Sequence, residues 1–206
     1  MVLAAVLLLL IGFSWVWEDF LAPRTVEDLH VAIIPLGPVN ESELSALEDS
    51  LESFYGFEVD VLSEIPLPDS AYFEPRERYK ASIILDHLEE VIPKKYDKIL
   101  GITASDISIT TSTGKDWGVF GLGQIGGESC VVSNHRFHEG ISEETFNDRL
   151  SKIAIHEIGH TLGLRHCKAN ENCLMRSADG TIATIDNSQA WICNSCRSKI
   201  HWEKTD

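Results

Sequence analysis

Positive charge is what this chain has little of: 17 of its 206 residues are Lys or Arg against 32 Asp or Glu, for a formal net charge of −15. Binding to a phosphate backbone rests on clustered Lys and Arg, so the deficit excludes nucleic acid as an expected partner. The acids are spread through 41–60, 86–97 and 139–148 rather than gathered in one block, the distribution of solvated helix faces and surface turns. Internal repeats and low-complexity tracts are absent as well. With 44% hydrophobic and 24% charged residues, the composition is that of a chain that buries an ordinary core, and the length suits one domain better than two.

Long apolar runs are confined to residues 1–17, MVLAAVLLLLIGFSWVW, which carry no charge. As a helix they would span about 25 Å, short of a hydrocarbon core of about 30 Å. No Lys or Arg precedes the run and no small-x-small cleavage site precedes Pro23, which argues against a cleaved signal peptide. The reading is an apolar segment over 1–22 that anchors the chain to a membrane, followed by a single domain over 23–206. A cytoplasmic protein with this segment packed on the domain, or a start assigned too far upstream, are the alternatives.

Beyond the leader, VAIIPL at 31–36 predicts a buried strand closed by Gly37 and Pro38. Leu44, Leu47, Leu51 and Phe54 recur at helical spacing after Asn40, predicting a helix over 41–54 that Gly56 ends. FEVDVLSEI at 57–65 alternates as a strand does, 77–91 repeats the helical pattern up to Pro93, and KILGIT at 98–103 reads as a further strand. That order predicts an α/β fold with a twisted, mostly parallel sheet. VFGLGQIG at 119–126 and SCVVSN at 129–134 then add two strands, one of them antiparallel at the edge. Ser142, followed by Glu143 and Glu144, opens the longest helix, with a stripe of Phe146, Leu150, Ile153, Ala154 and Ile158 and a stop at Gly163.

GLGQIG at 121–126 has the G-x-G-x-x-G spacing of dinucleotide-binding loops, but a β-branched strand follows it instead of a helix. No helix N-terminus is then available to a pyrophosphate. Glycines in an edge strand instead let a second backbone approach, as an extended peptide would.

HEIGHTLGLRH at 156–166 carries the chemistry. His156 and His160 lie one turn apart on one helix face, so both imidazoles can meet one ion. Glu157 points off that line yet can reach a water at the metal's open position. Gly163 breaks the helix, and His166 follows where the turned chain can return a third nitrogen. Three protein ligands leave a fourth position for water, the arrangement of a catalytic zinc with Glu157 as general base. The implied activity is hydrolysis of a peptide bond. A zinc-bearing binding protein with little catalysis, or an amidase acting on a non-peptide substrate, are the alternatives.

Four of the five cysteines form two short-spaced pairs, Cys167 with Cys173 and Cys193 with Cys196. Two knuckles joined by a loop describe a structural, four-cysteine zinc site, with two disulfides as the alternative. Cys130, apart from them in a strand, reads as a buried small residue. His30, His87, His135, His138 and His201 have no ligand spacing to one another.

The run H-E-x-x-H-x-x-G-x-x-H-C, followed by Cys173-Leu174-Met175 and by Cys193-x-x-Cys196, resembles the archaemetzincins, a branch of the metzincin metallopeptidases. The resemblance covers about 31–200, more loosely upstream through 119–137. It implies a metzincin-like zincin domain, an active-site helix, a Met-turn placing Met175 beneath the metal, and a peptide or protein substrate. It also implies two zinc ions, one on His156, His160 and His166 beside Glu157, the other on Cys167, Cys173, Cys193 and Cys196. One departure is the spacer KANEN between the first two cysteines, longer than the family pattern by one residue.

Overall fold

The computed structural model describes residues 25–137, 140–178 and 180–200. The apolar run at 1–17, and with it the expected anchor, lies outside the described residues. Among the described residues no helix is long and apolar enough to cross a membrane.

Along the chain come β1 (His30–Pro35), α1 (Glu41–Tyr55), β2 (Glu58–Val61), β3 (Tyr72–Phe73), β4 (Arg78–Lys80) and α2 (Ala81–Val91). They are followed by β5 (Lys98–Thr103), β6 (Ile107–Thr110), β7 (Asp116–Val119), β8 (Gly121–Gly123) and β9 (Ser129–Ser133). The helices α3 (Glu143–Thr161), α4 (Ile182–Asn187) and α5 (Asn194–Arg197) complete the order. A five-stranded sheet runs β2-β1-β5-β9-β8. Its first four strands are parallel, and β8 pairs antiparallel with β9 at the edge, the mostly parallel sheet with an antiparallel edge strand that the sequence predicts.

Strand alternation sorts the core into two layers. Val31, Ile33, Leu100, Ile102 and Val132 face Leu47 and Leu51 of α1 and Leu150 and Ile158 of α3. Ala32, Ile34, Ile99 and Val131 face Ala81, Ile84 and Leu88 of α2. Helices thus cover both faces, as a parallel sheet requires. Cys130 is fully buried in the first layer.

Three local expectations are corrected. The stretch 119–126 is not one strand: β7 ends at Val119 in a second, four-stranded sheet, β3-β4-β6-β7, and β8 begins at Gly121 in the first. The predicted strand 57–65 is regular only over Glu58–Val61, with Ile65 adding an isolated bridge to Leu36. The predicted helix 77–91 begins at Ala81, because Arg78–Lys80 pairs with β3 and β6 as β4.

Candidate metal centre and active site

The helix α3 begins where Ser142 Oγ accepts the Thr145 N–H at 3.2 Å, with Glu143 and Glu144 in its first turn. Its buried stripe seats it on the sheet, so the histidines of its last turns come to the β8 edge. Gly163, at φ 87°, takes a left-handed conformation that favours glycine; the chain turns there and returns with His166. The histidine ring nitrogens of 156, 160 and 166 then lie within 4.8 Å of one another.

Two backbone carbonyls set the tautomers. His156 Nδ1 lies 2.7 Å from the Leu174 oxygen and His160 Nδ1 lies 2.7 Å from the Leu164 oxygen. A carbonyl only accepts, so each Nδ1 carries the proton and each Nε2 keeps a lone pair. Those two Nε2 atoms stand 3.1 Å apart. Two lone pairs cannot satisfy each other, whereas a shared cation satisfies both. A tetrahedral zinc with Zn–N of about 2.1 Å would separate two nitrogens by about 3.4 Å, close to the spacing found. Burial, then the neighbouring His160, pushes His156 down to about 3, and burial also lowers His160, so both rings are neutral near pH 7.

Glu157 is buried beside them at 7% exposure. Burial raises its carboxyl to about 8, opposed by a hydrogen bond donated from the Gly123 N–H. The glycines of β8 make this approach feasible. A Cβ on Gly121 would stand 2.7 Å from Glu157 Oε1, and one on Gly123 would stand 2.4 Å from the Glu157 backbone oxygen. The G-x-G spacing therefore also serves a helix lying against a strand, a close approach that sequence reasoning did not anticipate.

Beneath the helix, a Cβ on Gly159 would stand 2.5 Å from Met175 Sδ. Met175 is fully buried. Its turn is closed by Arg176 N–H to Cys173 O at 3.0 Å and tied to the returning chain by Cys167 N–H to Met175 O at 2.7 Å. The end of α3 is held by Lys98, which sequence reasoning also missed. Its buried ammonium donates to Thr161 O at 3.2 Å and to Gly127 O at 2.7 Å, while the Gly126 N–H reaches His160 O at 2.9 Å. A lysine opening the apolar run KILGIT was the available signal.

The four C-terminal cysteines also converge, with their sulfurs within 4.8 Å of one another. Cys167 and Cys193 are 3.7 Å apart, Cys173 and Cys196 3.8 Å. All are free thiols, so the disulfide alternative is not what the structure contains. Four thiolates about 2.3 Å from a tetrahedral zinc would lie about 3.8 Å from each other, which this cluster matches. Burial raises the Cys167 thiol, but backbone N–H donors at Ala169 and Asn170 outweigh it and hold the group below the ordinary thiol value. The Cys193 N–H points at Cys173 Sγ at 3.3 Å. Such donors favour thiolates, the form that binds metal, although burial outweighs them at Cys173 and leaves that thiol above its ordinary value.

Residues 53–202 match the model of peptidase family M54. The archaemetzincin of Halobacterium salinarum is 34% identical over 180 residues, spanning 84% of this chain and 99% of that protein. The chain belongs to the archaemetzincins. It is accordingly a zinc metallopeptidase. The archaemetzincin of Archaeoglobus fulgidus is 33% identical over 174 residues, covering 84% of this chain and all, 100%, of its own. A crystal structure from that organism, complexed with malonate, superposes with a TM-score of 0.72 at 32% identity over 84% of this chain and 100% of that one. The Methanopyrus kandleri archaemetzincin gives 0.73 at 28% identity over 87% and 97%.

In this archaemetzincin the histidines and Glu157 open on a cleft of about 1120 Å³. One stretch of its lining is apolar and comes from β7, β8 and the turn after them: Trp117, Val119, Phe120, Leu122 and Ile125. Trp117 and Ile125 are 55% and 47% exposed. Another stretch comes from the loops after α3 and bears Arg165, Lys168 and Arg176.

Proposed function

We propose that peptide bonds are hydrolysed in this cleft, with a catalytic zinc held by His156, His160 and His166 and a structural zinc held by Cys167, Cys173, Cys193 and Cys196. The observation that carries the reading is the pair of Nδ1-to-carbonyl bonds, which leave two Nε2 lone pairs facing one point beside a buried carboxylate. A zinc ion bound there supplies Lewis acidity, lowering the pKa of water and polarising the scissile carbonyl.

Glu157 acts as general base, taking the proton of the attacking water and delivering it to the leaving amine. Its apolar surroundings make the protonated form accessible near neutral pH, and the Gly123 N–H fixes the carboxylate's orientation. The substrate is an extended peptide laid along β8. Phe120 O and Gln124 N bond inward to β9, so by strand alternation the Gly121 N–H and the carbonyls of Gly121 and Gly123 turn toward the open edge, while the Gly123 N–H is given to Glu157. An apolar side chain then meets Trp117 or Ile125.

Glu157→Gln is the test. The variant should retain the zinc content of the wild type while kcat falls about 10² to 10⁴-fold. Wild-type activity in the variant would remove Glu157 from the reaction, and a zinc-loaded wild type that cleaves nothing would favour the binding protein. For residues 1–17 we retain the anchor reading on their uncharged, apolar composition; alkaline carbonate should leave the full chain in the membrane pellet, and release into the supernatant refutes it.

A further inference from the structure

The strongest anomaly is the sign of the cleft's charge. The chain as a whole carries −15, yet the loops that frame the histidines present Arg165, Lys168 and Arg176 to the cleft, all three exposed. Among the described residues none of the three forms an ion pair, whereas Arg78, Lys80, Lys95, Arg136, Arg149 and Lys152 all pair with aspartates. Lys152, also in the lining, is committed to Asp148 at 2.7 Å and to Ile185 O at 3.3 Å. Among the described residues, one acid besides Glu157, Glu171, shares the lining.

The backbone beside these cations is tied to both clusters. Arg165 directly precedes His166, Lys168 directly follows Cys167, and Arg176 directly follows Met175. The Cys167 N–H to Met175 O bond, at 2.7 Å, joins the two segments side by side. The three cations therefore border the metal centre along one cleft. An acidic protein of this charge repels anions at long range, but screening limits that repulsion to about 8 Å at physiological salt. Inside the cleft the local cations decide, and a guanidinium offers a carboxylate two parallel hydrogen bonds.

We infer that Arg165, Lys168 and Arg176 select substrates bearing a carboxylate near the scissile bond; the inference rests on the peptidase reading of the same cleft. The carboxylate can be an internal Asp or Glu side chain or the free C-terminus of the substrate. The chemistry is shared, and the two sources imply internal cleavage and trimming from the carboxyl end respectively.

Three quenched-fluorescence peptides with one core sequence separate these cases on the zinc-loaded enzyme: a neutral peptide with an amidated end, the same peptide with an internal Glu, and the neutral peptide with a free C-terminus. At least one carboxylate peptide should exceed the neutral one about tenfold in kcat/KM at low salt, since exposed pairs each contribute modestly. The advantage should shrink in about 0.5 M salt and collapse in the triple variant Arg165→Gln, Lys168→Gln, Arg176→Gln. Equal or better cleavage of the neutral peptide, or a preference that survives the triple variant, overturns the inference. Binding of the same peptides to Glu157→Gln, followed by fluorescence anisotropy, is read in parallel. If nothing is cleaved but the carboxylate peptides bind tighter, the peptidase reading fails and the selectivity stands. Binding without preference sinks the selectivity alone.

Discussion

The histidine cluster and the cysteine cluster are neighbours in sequence, His166 beside Cys167, but they are enclosed differently. All four cysteines are buried, whereas among the histidines only His160 is buried, with His156 half-buried and His166 exposed. Four buried thiols can complete a tetrahedron around one ion and exclude other ligands, the enclosure expected of a staple. Three nitrogens that open on a cleft leave a position for chemistry. On the proposed reading, the contrast teaches that enclosure and ligand count distinguish a site that holds the chain together from one that handles a substrate.

Removing one sulfur tests the comparison hardest. A structural zinc contributes about 10–16 kcal/mol of folding free energy, comparable with or above a typical total stability of about 5–15 kcal/mol. Cys193→Ser should therefore unfold the segment after α3 and, because His166 adjoins Cys167, also loosen the histidine-held metal. Melting temperature and zinc per chain should both fall. His160→Ala should instead abolish activity and leave the cysteine-held metal and the fold. A Cys193→Ser protein with full activity and unchanged histidine-bound metal would show that the two clusters are independent.

A smaller effect is expected from the other side of the cleft. Gly123→Ala drives a methyl against the Glu157 backbone oxygen at 2.4 Å, which cannot rotate away, so β8 must withdraw from α3. A misplacement of about 1 Å costs on the order of 10²-fold in rate. Activity should fall by that order with the cysteine-held zinc intact. Lys98→Met is the mildest change. It removes a cation from a helix C-terminus, worth about 1 kcal/mol, and should lower the melting temperature by a few degrees and the rate several-fold. Lys98→Arg should restore part of both if the contact with Thr161 O is what matters.

The two clusters were legible in the sequence because helix geometry and knuckle spacing bring their residues together locally. His156 and His160 need only a helix, and Cys193 and Cys196 only a turn. The parallel sheet was legible for a related reason, since β1, β5 and β9 are continuous apolar runs buried on both faces. The second sheet was not. Its strands hold two to four residues each, too few for alternation to register, and β4 is a three-residue prelude to a helix whose pattern masked it. The break at Phe120 and the packing of Gly121 and Gly123 on Glu157 are facts of tertiary contact, and no local pattern encodes them. Lys98 was overlooked for the same reason: its partners, Gly127 O and Thr161 O, lie 29 and 63 residues away.

The spacer KANEN and the turn that follows it have unequal tolerance for change. KANEN is polar and largely exposed, so it can lengthen by looping outward at little entropic expense. Over the next three residues the chain supplies a thiol at Cys173, the carbonyl that orients His156 at Leu174, and the sulfur under Gly159 at Met175. An inserted residue there would shift all three against fixed partners at once. Length variation among relatives should therefore accumulate between Cys167 and Cys173 and stop at Cys173.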